Sequence, residues 1–267
     1  MTKLLITGHA GDVGSVLFKM FQEAGEDVAS LTIENNTSAQ RILHLAAKSP
    51  PATEHEMRRS NEAFLKEVIA YAEKNKIKEF IFFSAASVYG DIDKEDVYEE
   101  GVVATPSFYG SLKLLGEELL KKSSLNVLCL RLPAILSFTN TTNFLSRCFI
   151  KLYKNEVLEI TNADRLFNNF VSIESIFDFL HRIELNRPFD VINLASKKEK
   201  TLRQVVEIIK NELQSKSELI FSDKRNSFFN LSTQKAEKEY GFVPEAVEKS
   251  FKRWVAQRIK YEKVKVS

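Results

Sequence analysis

The stretch "TGHAGDVGS", Thr7 to Ser15, follows directly on the apolar run "KLLIT" (3–7) and spaces Gly8, Gly11 and Gly14 as G-x-x-G-x-x-G. A helical pattern, Val13, Val16, Leu17 and Met20, begins inside it. Glycine lets a strand turn sharply into a helix and brings backbone N–H groups against a pyrophosphate, while the positive end of the helix dipole favours that anion. The chain holds only nine glycines and three fall in this window, so composition alone does not account for the spacing. The stretch reads as strand, anion-binding turn and helix, the opening of a βαβ unit.

Around it the chain keeps that rhythm. "DVASLT" (27–32), "RILHLAA" (41–47), "EFIFFSA" (79–85) and "LNVLCLRL" (125–132) read as strands of a parallel sheet with crossover helices between them. Residues 54–75 place Met57, Phe64, Leu65, Val68, Ile69 and Ala72 on one helical face that should cover the sheet. Beyond residue 136 the pattern loosens into a helix over 142–153, strands at 169–173 and 190–195, and helices over 201–214, 233–239 and 245–258. The last of these carries Phe251, Trp254 and Val255 on an apolar face and a basic, solvated opposite face. The expected organisation is a dinucleotide-binding domain over 1–135, completed by segments near 168–195, and a smaller α/β lobe over 136–267.

At 267 residues with 44% hydrophobic and 28% charged content, the chain is expected to form one domain or two closely joined lobes. A net charge of +2 gives no electrostatic footprint for nucleic acid. Cys129 and Cys148 make no disulfide framework, and neither falls in a metal-ligand spacing with the four histidines, so no metal is expected and a reducing cytoplasm fits best. The N-terminal stretch resembles a buried strand more than a signal peptide, and no run approaches the roughly 18 apolar residues that span a bilayer.

A second short pattern lies in "SFYGSLK", where Tyr109 precedes Lys113 by four residues. Seven tyrosines among this many lysines yield about one such match by chance, and Tyr261 with Lys265 is another, so context must decide. The context is a series. The glycine turn after the first strand, "HLAA" (44–47), "FFSAASVYG" (82–90), Tyr109-x-x-x-Lys113 and "LRLP" (130–133) together resemble the extended short-chain dehydrogenase/reductase superfamily, in its NAD-dependent epimerase/dehydratase branch acting on nucleotide sugars. The resemblance implies a Rossmann-like doubly wound sheet that binds NAD or NADP. The cofactor would lie on Thr7, Gly8, His9, Ala10, Gly11, Asp12, Val13 and Gly14, with Thr32 at the end of the second strand, Leu45, Ala46 and Ala47 after the next, and Lys113 at the ribose. It further implies Tyr109 as acid/base, its pKa lowered by Lys113 one turn on, and a nucleotide-sugar substrate against Ser84, Ala85, Ser87, Tyr109, Arg165 and Asn168. His44 reads as structural. A homodimer through the helices at 54–75 and 107–122 is the family's usual assembly.

The chain departs from that pattern at four places. Ala85 stands where the family has a Ser or Thr hydroxyl, with Ser84 and Ser87 beside it as replacements. Thr32 stands where an acid usually binds the ribose, Glu34 is two residues late and Arg41 is farther, which leaves the choice of NAD or NADP open. Only the nine residues "TIENNTSAQ" (32–40) connect the second strand to the next, fewer than the ~10–12 of a crossover, so the third strand of the longer sheet is expected to be missing. Asn168 occupies the place of an arginine that holds the substrate diphosphate, for which Arg165 would substitute. These departures keep a second reading open, a catalytically weak or inactive protein of the same fold that binds NAD(P) or a nucleotide sugar.

Overall fold

The computed structural model describes residues 4–33, 39–101, 103–222, 224 and 226–266. Glu34 falls outside them. In chain order come β1 (Leu4–Thr7), α1 (Asp12–Glu23), β2 (Val28–Ser30), β3 (Arg41–His44), α2 (Glu54–Arg58), α3 (Phe64–Lys74) and β4 (Glu79–Ala85). Then follow β5 (Lys94–Val97), α4 (Phe108–Lys121), β6 (Asn126–Leu132), β7 (Ala134–Leu136), α5 (Phe144–Tyr153), β8 (Leu158–Ile160) and β9 (Phe170–Ser172). The chain continues through α6 (Ile173–Arg182), β10 (Phe189–Asn193), α7 (Leu202–Glu212), β11 (Leu219–Phe221), β12 (Phe229–Leu231), α8 (Gln234–Tyr240) and α9 (Val247–Val266). Two compact units result, one of residues 1–91, 99–132 and 177–193, the other of 92–98, 133–176 and 194–267.

The first unit is built on six parallel strands in the order β10-β6-β4-β3-β1-β2. Among the described residues β2 ends this sheet, in agreement with a connection too short for a further crossover. Phe80 through Ser84 of β4 are buried without alternation, as a strand covered on both faces requires. Leu5, Ile42, Phe80, Phe82 and Val127 of the sheet share a core with Leu65, Val68 and Ala72 of α3 and Leu120 of α4. The chain passes from β1 to β2 on one side and returns to β3 on the other, so the winding reverses between β1 and β3. In such sheets ligands bind beyond the carboxyl ends of the strands at that reversal.

Two features differ from the sequence pattern. The helix expected over 54–75 is interrupted by a π turn at Arg59–Ala63. Buried Asn61 in that turn accepts from Lys48 N (2.9 Å) and donates to Lys48 O (2.8 Å). The interruption rotates the face, so Met57, Leu65, Val68 and Ala72 are buried while Phe64 and Ile69 are only partly covered. The strand expected at 169–173 does not help complete the first unit either. As β9 it pairs with β7 in the second unit, and of the segments near 168–195 only β10 supplies a strand to the large sheet.

Among the described residues the second unit has three two-stranded parallel pairs, β5 with β12, β7 with β9 and β8 with β11. Its core draws Phe149 from α5, Phe170 from β9, Val205 and Ile209 from α7, and Phe251, Trp254 and Val255 from α9. The indole of Trp254 donates to Ser137 O (3.2 Å), and the buried guanidinium of Arg258 donates to Phe138 O (2.7 Å) and Asn140 O (2.5 Å). α9 runs to Val266, past residue 258 where its apolar pattern fades. Tyr261, the start of the second Tyr-x-x-x-Lys match, lies in this helix with its ring 5.7 Å from Phe138, in the unit that lacks the glycine turn.

Gly116 sets how closely α4 lies on the first unit's sheet, since a Cβ there would stand 2.7 Å from Phe82 Cζ and 3.1 Å from Leu65 Cδ2. Gly116→Ala is expected to lower unfolding stability by about 1–3 kcal/mol through overpacking, read from urea denaturation. An unchanged midpoint would show that Phe82 yields freely.

Candidate active site

The glycine turn is shaped by close approach. Gly8 has φ of 71°, and a Cβ on it would stand 2.7 Å from Ala46 N. At Gly14 a Cβ would lie 2.0 Å from Gly8 O, so α1 can start against the turn only with glycine there. Gly11 N donates to Gly8 O (3.0 Å) and forms the N-cap of α1 without a side-chain cap on the helix. His9, Ala10, Gly11 and Asp12 are exposed, and Val13 is partly buried. The turn thus presents exposed backbone at a helix N-terminus, the kind of place that suits an anion.

Where the winding reverses, Thr7 and His44 close the strand ends. Thr7 Oγ1 and His44 Nδ1 lie 3.0 Å apart, and Ala46 N donates to Thr7 Oγ1 at 3.2 Å. Leu45 N donates to Thr7 O at 3.4 Å, which brings Leu45, Ala46 and Ala47 alongside the turn. His44 is buried among the rings of Phe64, Phe80 and Phe82, and its Nε2 has no partner among the described residues. Burial, reinforced by nearby Lys113, pushes the imidazole down to about 3, so it is neutral and structural at physiological pH. Thr32 lies exposed two residues beyond β2.

The second cluster forms where α4 begins. Ser107 caps the helix by accepting from Gly110 N (3.2 Å). Gly110 allows this turn to approach the 3-10 turn at Ala86–Tyr89, since a Cβ on it would stand 2.3 Å from Ser87 O. Lys113 is buried, donates to Phe83 O (2.7 Å), and lies 4.8 Å from the Phe82 ring centre and 5.7 Å from that of Tyr109. The pair therefore shares one face of α4, but the amine meets the tyrosine ring rather than its hydroxyl. The expected lowering of the Tyr109 pKa is not found: burial pushes the phenol up to about 12. Burial also brings the Lys113 amine down to about 7, against the opposing pull of Glu117.

Of the serines flanking Ala85, the two differ sharply. Ser84 Oγ donates to Glu117 Oε1 at 2.5 Å, and β4 runs against β6 in regular register through Ser84 and Ala85, without the bulge that would turn Ser84 toward Tyr109. Its hydroxyl is held in a structural network. Ser87 Oγ is buried and has no hydrogen-bond partner among the described residues, which leaves it available to a ligand. Ala85, at the end of β4, is partly buried.

Arg165 and Asn168 belong to the second unit. Arg165 pairs with Asp93 and lies 4.6 Å over the Phe228 ring centre. Asn168 is buried with both ends of its amide engaged, donating to Leu231 O (2.8 Å) and accepting from Leu231 N (3.0 Å), so it clamps the chain. Among the described residues no group of His, Cys, Asp or Glu is placed to hold a metal ion, and no helix is long and apolar enough to cross a membrane.

The residue that sequence reasoning missed is Glu117. It accepts two hydrogen bonds from Arg131, 3.0 Å from Nε and 2.7 Å from Nη2, and Arg131 also donates to Glu99 O (2.7 Å). The signal was present as an acid four residues after Lys113 in an otherwise apolar stripe.

The family model of the NAD dependent epimerase/dehydratase family matches residues 32–182, over half of the chain, and takes in Ser84–Ser87 and Tyr109–Lys113. No curated protein matches in sequence. Among solved structures, UDP-glucose 4-epimerase with UDP-glucose from the hyperthermophilic eubacterium Thermotoga maritima superposes with a TM-score of 0.81 at 18% identity, over 98% of this chain and 100% of that one. RMD from Pseudomonas aeruginosa, complexed with NADPH, gives 0.81 at 17% identity over 98% and 100%. UDP-glucuronic acid 4-epimerase from Bacillus cereus, in complex with NAD, gives 0.81 at 17% over 97% and 99%. At these identities the likeness is one of fold.

The buried imidazole carries a pH dependence. His44 refuses a proton in the folded state down to about 3, whereas the unfolded chain takes one near 6.5, so its contribution to stability falls as pH drops through that window. His44→Leu is expected to flatten the decline in unfolding free energy between those limits. Parallel stability–pH curves for the two proteins would show that His44 is not held neutral.

Proposed function

The chain belongs to the NAD dependent epimerase/dehydratase family, and from that premise we propose that it is an NAD(P)-dependent enzyme acting on a nucleotide-linked sugar, by 4-keto reduction or epimerisation. The observation that carries this reading is the conjunction at the start of α4, where Tyr109, buried Lys113 and the unpartnered hydroxyl of Ser87 meet at the carboxyl edge of the parallel sheet. Gly8, Gly11, Gly14 and the uncapped start of α1 would hold the pyrophosphate. The nicotinamide, when bound, gives or takes the hydride. Tyr109 exchanges the proton at the sugar oxygen, Ser87 supplies the hydroxyl that Ala85 lacks, and Lys113 holds the cofactor ribose and the charge beside Tyr109. From the family resemblance, Arg165 is the candidate for a diphosphate contact. A homodimer belongs to the same proposal.

The state of Tyr109 bears on the proton it would exchange. A phenol held at about 12 is a proton donor at neutral pH. Reduction of a keto sugar requires such a donor, whereas epimerisation begins by removing a proton from a hydroxyl. Epimerisation also ends in reduction of a keto intermediate, so both reactions stay within the proposal. The rival reading, a binding protein with residual chemistry, draws support from Ala85 and from the same raised phenol.

Calorimetric titration with NADH and NADPH is expected to give micromolar binding of at least one, with Tyr109→Phe keeping that binding and losing turnover of a 4-keto nucleotide sugar. Turnover unchanged in Tyr109→Phe would sink the mechanism. Ala85→Ser restores a donor commonly worth ~3 kcal/mol, a hundredfold or more in rate. A gain of that order would identify a weakened enzyme, and no gain on a robust activity would show that Ser87 already fills the role.

A further inference from the structure

The buried cluster beyond Lys113 is larger than the proposed chemistry uses. Glu117 follows Lys113 by one helical turn on α4, and both side chains are almost fully buried. The carboxylate is gripped by the Nε and Nη2 of Arg131 from β6 and by the hydroxyl of Ser84 from β4. Arg131 and Ser84 are direct register partners in the sheet, so backbone pairing fixes the grip. Arg131 is further held by Glu99 O and lies 4.9 Å from the Tyr89 ring centre.

From every element packed against it, Lys113 faces few groups able to carry charge. α4 contributes Tyr109 and Glu117, β3 contributes His44, and β6 contributes Cys129 and Arg131. Burial keeps Tyr109, His44 and Cys129 in their neutral forms at neutral pH. Glu117 is thus the anion of the set, and the charge of Arg131 is turned onto it by the two-point contact. An amine buried against two aromatic rings with one carbonyl acceptor loses its proton readily unless a fixed negative charge opposes the loss.

We infer that Glu117 is a positioning residue, an internal counter-charge that Arg131 holds in place and the Ser84 hydroxyl partly damps, through which Lys113 stays an ammonium beside Tyr109. Its significance for catalysis rests on the function proposed above. The electrostatic role does not, and it is measurable without substrate.

The experiment follows the Lys113 side chain of the whole protein by heteronuclear NMR with labelled lysine, titrating pH and assigning the signal by its loss in Lys113→Arg. In Glu117→Gln the midpoint is expected to fall by roughly one pH unit or more. In Ser84→Ala, which leaves every charge in place but removes a donor from the carboxylate, it is expected to rise by roughly a few tenths of a unit. Opposite shifts are what a counter-charge produces and a general loosening does not. If Glu117→Gln does not fold, the sign in Ser84→Ala decides alone. An unchanged midpoint in Ser84→Ala, or a fall in both variants, would overturn the inference. Absence of turnover with the NMR shifts intact would instead count against the enzyme reading only.

Discussion

The two-point contact between Glu117 and Arg131 is the constraint from which the first unit's site takes its shape. Removing both charges from water is expensive, and the pair holds only because each remaining polar position has a partner: Ser84 for the carboxylate, Glu99 O for the guanidinium. Loss of one partner from such a pair typically costs about 3–5 kcal/mol, since the other is left buried and uncompensated. The contact joins α4 to β6 and, through Ser84, to β4. Because α4 is held at that point and again by Gly116 against Phe82, its first turn is delivered to the end of β4 with little freedom. Tyr109 and Lys113 inherit their placement from contacts farther along the helix.

The same burial that places these groups also alters their chemistry. Proximity on one helical face suggested that lysine would ionise tyrosine, but in a water-poor setting both neutral forms gain. Charge states there are set less by who stands next to whom than by how many fixed charges and donors survive desolvation. That balance explains a neutral His44 between two strand ends, a phenol too weak to act as a base unaided, and an amine poised near neutrality.

Much of the first unit was legible in the sequence because its signals are local. "EFIFFSA" matches β4 residue for residue, and the glycine turn combines a spacing, a preceding strand and a following helix within one short window. The short link between β2 and β3 foretold, by simple reach, that the third strand of the longer sheet would be missing, and among the described residues β2 ends the sheet. What stayed hidden was set by distant partners. The π turn depends on Asn61 finding Lys48, the pairing of β9 depends on β7, and the engagement of Ser84 depends on Glu117. The clamp of Asn168 on Leu231 likewise joins residues far apart in the chain. None of these leaves a period or a spacing to read.

The order of segments carries a consequence for how the molecule is made. The sheet takes its last strand, β10, from Phe189–Asn193, after the chain has already contributed β5 and the whole run from Pro133 to Ile176 to the other unit. Emerging from the ribosome, β6 therefore waits with one edge open while material belonging elsewhere is synthesised. Neither unit exists as a continuous piece of chain, so no single cut or stop codon yields either one intact. Selection and engineering alike must treat the 267 residues as one heritable block.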